Sequence, residues 1–212
     1  MRKLWTKVLA LTLCLGVVGG GLAACSPKET ADSQDNLFAS ILQEGTLLPS
    51  GMEFLSPMEQ VLEDNGWTED QLEDPEQGEG KVLNRTVEIA GLPEVTQTLT
   101  FYENTLTEEP KGMVLMGVRY VVSAGEEDPQ AVWETLAQQA EEVLPEDGDI
   151  ALLTPENGVA QGQSTSWGDR EGNQLNITFS QLEETPTMAL VELSSGEITK
   201  AVAEQRSLRG VE

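Results

Sequence analysis

Alternating apolar residues between positions 82 and 122 constrain the fold of this 212-residue chain more than any other feature. Residues 82–90 and 95–103 alternate, the second run with threonines between its apolar residues. The clearest run, residues 113–122, has apolar residues at every second position: Val114, Met116, Val118, Tyr120 and Val122. A period of two sends neighbouring side chains to opposite faces of a strand. With such short connections, the sequence predicts three antiparallel strands that have one buried and one polar face.

The second half of the chain repeats this order after a helix. Asp128 and Pro129 are typical of a helix start, and Pro145 predicts an end near Leu144. An apolar stripe at helical spacing accompanies Trp133, and its residues are Val132, Leu136, Ala140 and Val143. Three further strands are predicted near residues 163–168, 173–181 and 187–194.

Two shorter helices are predicted before the first strands. Residues 37, 38, 41 and 42 are apolar and share one helical face, so order is expected to begin near Asn36. Ser56 as cap, Pro57 at the first helical position and Glu59 as capping-box partner predict a second helix. Asn65-Gly66 predicts its left-handed end, and Thr68 with Gln71 repeats the capping pattern.

The element order therefore predicts an α+β fold built from tandem α-β-β-β units, with helices packed on antiparallel sheet. The acidic domain would cover residues 36–194, with two repeats at about 50–123 and 128–194. TLTFYEN and NITFSQL take equivalent places in the two repeats. The tail, residues 195–212, would be a short helix or frayed, and fraying is the commoner state of a terminus.

The first 25 residues read as a targeting segment. Arg2, Lys3 and Lys7 precede an uncharged apolar stretch that ends in small residues, which is the order of a secretory signal. A membrane span is the competing interpretation, but the strongly apolar part is shorter than the ~20 residues that a spanning helix needs. Four glycines between positions 16 and 21 weaken a helix further. Residues 1–24 are therefore expected to be removed.

Leu22-Ala23-Ala24-Cys25 resembles the lipobox of bacterial prolipoproteins. The resemblance implies cleavage between Ala24 and Cys25, and a diacylglyceryl group on Cys25 with palmitate-type chains. Residues 25–35 would then be a lipidated tether, because they are polar and poor in apolar residues. Two acyl chains give a stable attachment, so the expected location is the extracytoplasmic face of the cell membrane. An ordinary secretory leader with a chance cysteine is the alternative.

A second resemblance concerns the mature domain. GMEFLSPMEQVLEDNGW is similar to the opening of small outer-membrane lipoprotein A domains. The tandem arrangement resembles the wider group that includes the β-lactamase inhibitor proteins. That family's first helix usually ends in Gly-x-Pro, whereas Asn65-Gly66-Trp67 stands here. Members bind other proteins or scaffold envelope assemblies, which is what the resemblance implies for this chain.

Charge limits the partners. The formal net charge is -25, and it becomes -28 once the leader takes its three basic residues away. Such a surface repels phosphate backbones and anionic lipid headgroups, so nucleic acid is excluded as a partner. Solubility alone would explain the charge.

Catalytic chemistry finds little support in the residues. The chain has no histidine, which excludes serine or cysteine nucleophiles with a histidine base and histidine-ligated zinc. Carboxylate pairs that could hydrolyse glycosides arise by chance among 37 acidic residues, and no cofactor motif is present. We expect no enzyme, no catalytic residues and no cofactor.

An acidic cluster is the one candidate for a metal site. Residues 29–80 contain no Lys or Arg, and their acids include Glu59, Glu63, Asp64, Glu69, Asp70, Glu73, Asp74, Glu76 and Glu79. Calcium prefers several oxygen ligands, but no EF-hand spacing is present. Asp147-Gly148-Asp149 is a second fragment of this kind. A solvated acidic face is the expected explanation, so no metal site is predicted.

Two functions remain open. The first is a non-catalytic protein-binding or envelope-scaffolding module with an unknown protein partner. The second is a ligand-binding lipoprotein that serves a transporter or sensor, which requires a deep apolar pocket. Tryptophans could anchor an interface. Core packing is expected for Trp133 and Trp167, and Trp67 stays open.

Overall fold

An eight-stranded antiparallel sheet forms the centre of the protein in the computed structural model. The structure describes residues 36–75, 78–89, 91–92, 94–124, 128–144, 150–153, 162–180 and 188–208. The strands are β1 Leu72–Glu73, β2 Lys81–Val87, β3 Val95–Glu103, β4 Met113–Ser123, β5 Ala151–Leu153, β6 Gly162–Gly168, β7 Gln174–Ser180 and β8 Met188–Ser194. Their spatial order is β1-β2-β3-β4-β8-β7-β6-β5. Two meanders therefore join where β4 pairs with β8, and the predicted α+β class is confirmed.

Four α-helices accompany the sheet within the described residues. They are α1 Leu37–Ile41, α2 Met58–Asp64, α3 Pro129–Val143 and α4 Gly196–Leu208. Asn36 caps α1, because its side chain accepts from the Phe38 and Ala39 amides. Asp128 caps α3 by accepting from the Gln130 amide, with proline in the first turn. The predicted helices at both positions are confirmed.

Residues at the same level of neighbouring strands form continuous rows across the sheet. We call the first the apolar row, and its members are Leu72, Leu83, Leu99, Val118, Leu193, Leu175 and Trp167. We call the adjacent row on the same face the mixed row, and its members are Arg85, Gln97, Tyr120, Val191, Ile177 and Thr165. These two rows define the inner face of the sheet.

The helices cover the inner face. α3 packs against β7 and β8, α1 packs against α3, and α2 packs against β4. Val132, Leu136 and Ala140 of α3 join the same buried cluster as the strands, so the predicted stripe is confirmed, with Val143 half-buried at its end. Trp167 is buried as predicted, and Trp133 is half-buried against the core. Burial of this apolar surface is the main stabilising contribution.

The start of α2 corrects a sequence prediction. Ser56 lies one residue before the cap position, where its carbonyl accepts from the Leu115 amide and Pro57 bridges to Val114. Pro57 is the capping residue and makes no side-chain capping bond. The predicted end is confirmed: Gly66 has a φ of 68°, and the Trp67 amide donates to the Leu62 carbonyl at 2.8 Å. Gln71 also accepts from the Thr68 amide at 2.9 Å.

A β-bulge corrects the predicted face of β4. The register shifts between Thr100 and Phe101, so that Leu115 pairs with Phe101 and Gly117 pairs with Thr100. Met116 is the extra residue and is only half-buried, whereas Leu115 is fully buried. Strict alternation counted back from Val118 therefore placed Met116 on the buried face, where the structure has Leu115.

The C-terminal tail is helical from Gly196 to Leu208, so fraying was the wrong choice for these residues. Tertiary contacts explain the order. The buried Asn173 side chain accepts from the Gly196 amide at 3.0 Å, and Lys200 donates to the Glu171 carbonyl at 2.8 Å. A Cβ at Gly196 would lie 2.2 Å from the Glu171 carbonyl oxygen. The β6–β7 turn thus holds the start of α4 at a position that only glycine allows.

Candidate functional site

The outer face of the sheet is polar across six strands. We call its central level the outer polar row, and its members are Asn84, Thr98, Arg119, Glu192, Asn176 and Ser166. None of these side chains is buried, although each belongs to a strand whose inner-face residues largely are. The first turns of α4 approach three members of this row, Thr98, Arg119 and Glu192. This face therefore presents polar side chains that another macromolecule could contact.

Hydrogen bonds between strands order the outer polar row. Arg119 donates to one Glu192 oxygen from Nε at 3.0 Å and from Nη2 at 2.6 Å. Thr98 donates to Asn84 at 2.8 Å, and Asn84 donates in turn to Glu73 at 3.2 Å. The Arg119–Glu192 pair bridges β4 and β8, where the two meanders meet. Fixed side chains lose less entropy when a partner binds.

A groove runs along the outer face beside this row. Its volume is about 480 Å³, and its walls come from β2, β3, β4, β8 and the first turns of α4. We call it the outer groove; lining residues include Val82, Thr100, Tyr102, Gly117, Arg119 and Ile198. Tyr102 is the one exposed large apolar residue in the described part of the chain, with 39% of its surface accessible.

Gly80 fixes the place of Tyr102. Its φ is 145°, and an added Cβ would lie 2.8 Å from Cδ1 of the Tyr102 ring and 2.6 Å from the Phe101 carbonyl oxygen. The ring therefore lies against bare backbone. Tyrosine and arginine are each enriched at energetically important interface positions, and Tyr102 and Arg119 both line this groove. Sequence reasoning did not single out Tyr102 or Arg119, because neither belongs to a motif.

A larger cleft lies at one end of the sheet. Its volume is about 790 Å³, within the range of small-molecule sites. It is bounded by the α1–α2 loop, the β3–β4 loop, the β6–β7 turn and α4, with Met52, Phe54, Leu106, Glu171 and Lys200 among its lining residues. Ten of the fifteen lining residues are polar or charged, which differs from the largely apolar lining typical of ligand pockets.

A polar network that is buried at Gln97 and Tyr120 and exposed at Arg85 occupies one half of the mixed row. Arg85 Nε donates to Gln97 Oε1 at 2.5 Å, and Gln97 Nε2 donates to the Tyr120 hydroxyl oxygen at 2.7 Å. Gln97 and Tyr120 are each only 2% exposed. Burial raises the pKa of Tyr120 to about 12, although the Gln97 hydrogen bond and the Arg85 charge act against that shift. Loss of hydration lowers the pKa of Arg85.

Trp67 completes this network at the edge of the sheet. The Arg85 guanidinium carbon lies 4.6 Å from the centroid of the Trp67 ring, a cation–π distance. Trp67 is half-buried and packs in part against the core. The sequence did not assign a role to Trp67; in the structure it contacts the exposed cation Arg85.

Two sets of predicted residues lie outside the described residues. The first is the anchor: the leader, Ala24, Cys25 and the tether. The second belongs to the candidate calcium sites and consists of Asp147-Gly148-Asp149 and Glu76. In the described ranges, no helix has the length and apolar character needed to cross a membrane. Acidic side chains of the described segments form no group of three or more that could hold a metal ion.

The comparisons give no family for this chain. No protein-family model, no curated protein and no solved structure matches it.

Proposed function

We propose that the protein is a membrane-anchored extracytoplasmic lipoprotein that binds another protein through the outer face of its sheet, without catalysis. The observation that carries the proposal is the ordered outer polar row, beside a groove that presents Tyr102 and is bordered by α4. An antiparallel sheet commonly exposes one face to water, so an open face alone is weak support. The fixed Arg119 and the exposed Tyr102 are what favour an interface here.

The proposed anchor rests on the lipobox-like residues. Diacylglyceryl transfer to Cys25 and cleavage after Ala24 would leave ten residues, 26–35, before the Asn36 cap of α1. Fully extended, ten residues reach about 35 Å. The sheet could then meet a partner away from the lipid surface.

The proposed architecture is a tandem of α-β-β-β units at about 50–123 and 128–194. In support, α2 precedes β2–β4, α3 precedes β6–β8, and the two sets of strands run outward from the β4–β8 junction. The likeness to small outer-membrane lipoprotein A domains and β-lactamase inhibitor proteins stays part of this proposal. Members of that group bind other proteins or scaffold envelope assemblies, and that is what the resemblance implies here.

The acidic charge indicates the kind of partner. With a net charge of -25, or -28 without the leader, the chain would meet a neutral or basic protein surface more readily than an acidic one. A standard interface needs about 800 Å² from each partner, which six strands with an open face can supply.

Site-specific photo-cross-linking in cells tests the proposal on the full-length chain. A photoreactive amino acid at Thr98 of the outer polar row should give an adduct with one reproducible protein, identified by mass spectrometry. The matched control is Thr135, an exposed threonine of α3 on the opposite side of the sheet. Equal adducts at both positions, or none at Thr98, would contradict an interface on the outer face.

The anchor is tested separately with Cys25→Ser. The variant should lose incorporation of labelled fatty acid, whereas Cys14→Ser, which changes the leader cysteine, should keep it. Incorporation that survives Cys25→Ser would show that Cys25 is not the lipidated residue.

A ligand-binding lipoprotein is the second candidate, because the end cleft has a suitable volume. A small molecule that raises the melting temperature of the full-length chain would favour it, provided that Ala201→Trp in the cleft removes the effect. A rise that survives this substitution would place the ligand elsewhere.

A further inference from the structure

Among the basic residues of the described strands, Arg85 differs from Lys81 and Arg119 because no described carboxylate forms an ion pair with it. Lys81 pairs with Asp74 and Arg119 pairs with Glu192, each at 2.6 Å. Among the described residues, no carboxylate oxygen lies within 4.0 Å of Arg85. The chain has 37 acidic residues, so an arginine that contacts only neutral groups is unexpected on electrostatic grounds.

The position of the Arg85 guanidinium is fixed by these neutral groups. Gln97 holds Nε from one side, and Tyr120 holds Gln97 in a buried position that allows it little movement. The Trp67 ring supports the flat face of the guanidinium. This arrangement uses one donor of the five that the group carries. Within the described part of the chain the two Nη atoms have no hydrogen-bond acceptor, and they form the fork that matches the two oxygens of a carboxylate.

We propose that Arg85, supported by Trp67 and Gln97, is a binding site for a carboxylate carried by an otherwise basic or neutral segment of a partner protein. A carboxylate would neutralise the cation and pair with the free fork. Partial burial makes this charge-assisted contact stronger than one in open water. The lowered pKa of Arg85 has the same origin, because loss of hydration without a counter-ion disfavours its charged form.

The surrounding charge determines the rest of the segment. Trp67 lies within residues 29–80, which contain many acids and no Lys or Arg. An acidic segment would be repelled from this region, whereas basic residues on either side of a single carboxylate would be attracted. The pattern recognised is therefore one carboxylate within a positive or neutral context.

This site is separate from the outer groove. Arg85 belongs to the mixed row of the inner face, at the end of that row formed by β2. β1 pairs only with Val82 and Leu83, so among the described strands the outward edge of β2 at Arg85 has no partner. A segment could therefore approach Arg85 along this edge.

Peptide titration of the full-length chain in detergent micelles tests the proposal. The first peptide is lysine-glycine-glutamate-glycine-lysine, acetylated and amidated, and the second has glutamine in place of glutamate. A third has glutamine and a free C-terminal carboxylate, so that a side-chain carboxylate is distinguished from a chain end. Affinity is read from the NMR signal of the Trp67 indole N–H, which lies beside Arg85.

At least one of the two carboxylate peptides should bind about tenfold more tightly than the amidated glutamine peptide. A tenfold difference in affinity is what one charge-assisted hydrogen bond contributes. Arg85→Gln should abolish this difference. Arg206→Gln should preserve it, because Arg206 lies in the last turn of α4 and not on the edge of β2. Equal affinity of all three peptides for the unaltered chain, or a preference that survives Arg85→Gln, would overturn the proposal. No cellular partner is involved, so the result is independent of the cross-linking experiment.

Discussion

The two halves of the mixed row differ in chemistry at the same level of the sheet. On β2, β3 and β4 the row is Arg85, Gln97 and Tyr120, joined by hydrogen bonds. On β8 and β7 it continues as Val191 and Ile177, which are fully buried. α3 packs on the β7–β8 half, whereas the β2–β4 half contains a connected polar network. The difference indicates that the second half contributes mainly packing, whereas the first also positions a cation at the edge of the sheet.

The largest effect is expected from the apolar half. Ile177→Ala should lower the free energy of unfolding by about 2–5 kcal/mol, because Ile177 is 0% exposed and the cavity would lie under α3. Urea unfolding measures this change. Thr178→Ala, one residue along on the outer face, is the control and should change stability by about 0.5 kcal/mol or less. Equal losses would mean that the inner face is not the core in this half.

Much of this arrangement follows from the sequence alone. Strand patterns located β2, β3, β4, β6, β7 and β8. The apolar helical face located α1, and Asp128-Pro129 located α3, because each signal depends on local spacing. The bulge at Thr100 and the three-residue β5 could not be predicted, since each depends on pairing between distant strands. The loop predicted before residue 163 therefore contains a short strand over Ala151–Leu153.

The candidate sites were harder to predict than the fold. Arg85, Gln97 and Tyr120 are 12 and 23 positions apart along the chain and become neighbours only through strand register. Tyr120 was assigned to an apolar face, correctly as to burial, but nothing local indicates its partner. Arg119 and Glu192 are separated by 73 positions. Local spacing indicates which face a residue occupies, whereas register decides which residue it meets.

Raising the pH should lower the folding stability through ionisation of Tyr120, which belongs to the polar half of the mixed row. Its folded pKa of about 12 lies above the ordinary value of 10.0, so folding favours the neutral phenol. The associated stability is complete below pH 10 and is lost as the pH rises through about 12. The total loss is about 2–3 kcal/mol. Unfolding in urea at several pH values measures it. Tyr120→Phe should lack this component and Tyr102→Phe should keep it; the reverse would assign the titration to the exposed tyrosine.

Gln97→Leu should disrupt the network while retaining most of the side-chain volume. The buried Tyr120 hydroxyl oxygen would lose its donor, at a cost of about 1–3 kcal/mol. The pKa of Tyr120 should also rise further, because the Gln97 hydrogen bond lowers it. Absorbance of the ionised phenol reports the second effect. A fall in that pKa would show that Gln97 does not stabilise the ionised phenol.

The smallest effect should come from the outer face at the junction of the halves. Arg119→Gln removes a half-exposed ion pair, so the expected loss in stability is about 0.2–1 kcal/mol and should shrink as salt is added. The cross-linked adduct at Thr98 should nevertheless weaken. A large loss of stability with an unchanged adduct would identify the pair as structural.

The β4–β8 junction also affects how the chain reaches its native state. Within each meander, neighbouring strands pair soon after they are made, because their connections are short. Val118 pairs with Leu193, so the junction cannot form until the chain has been synthesised 75 positions further. Until then β4, an eleven-residue strand rich in valine, presents an open edge. We therefore expect chains that end near residue 124 to aggregate, and a chaperone that shields β4 during synthesis to raise the yield of full-length protein.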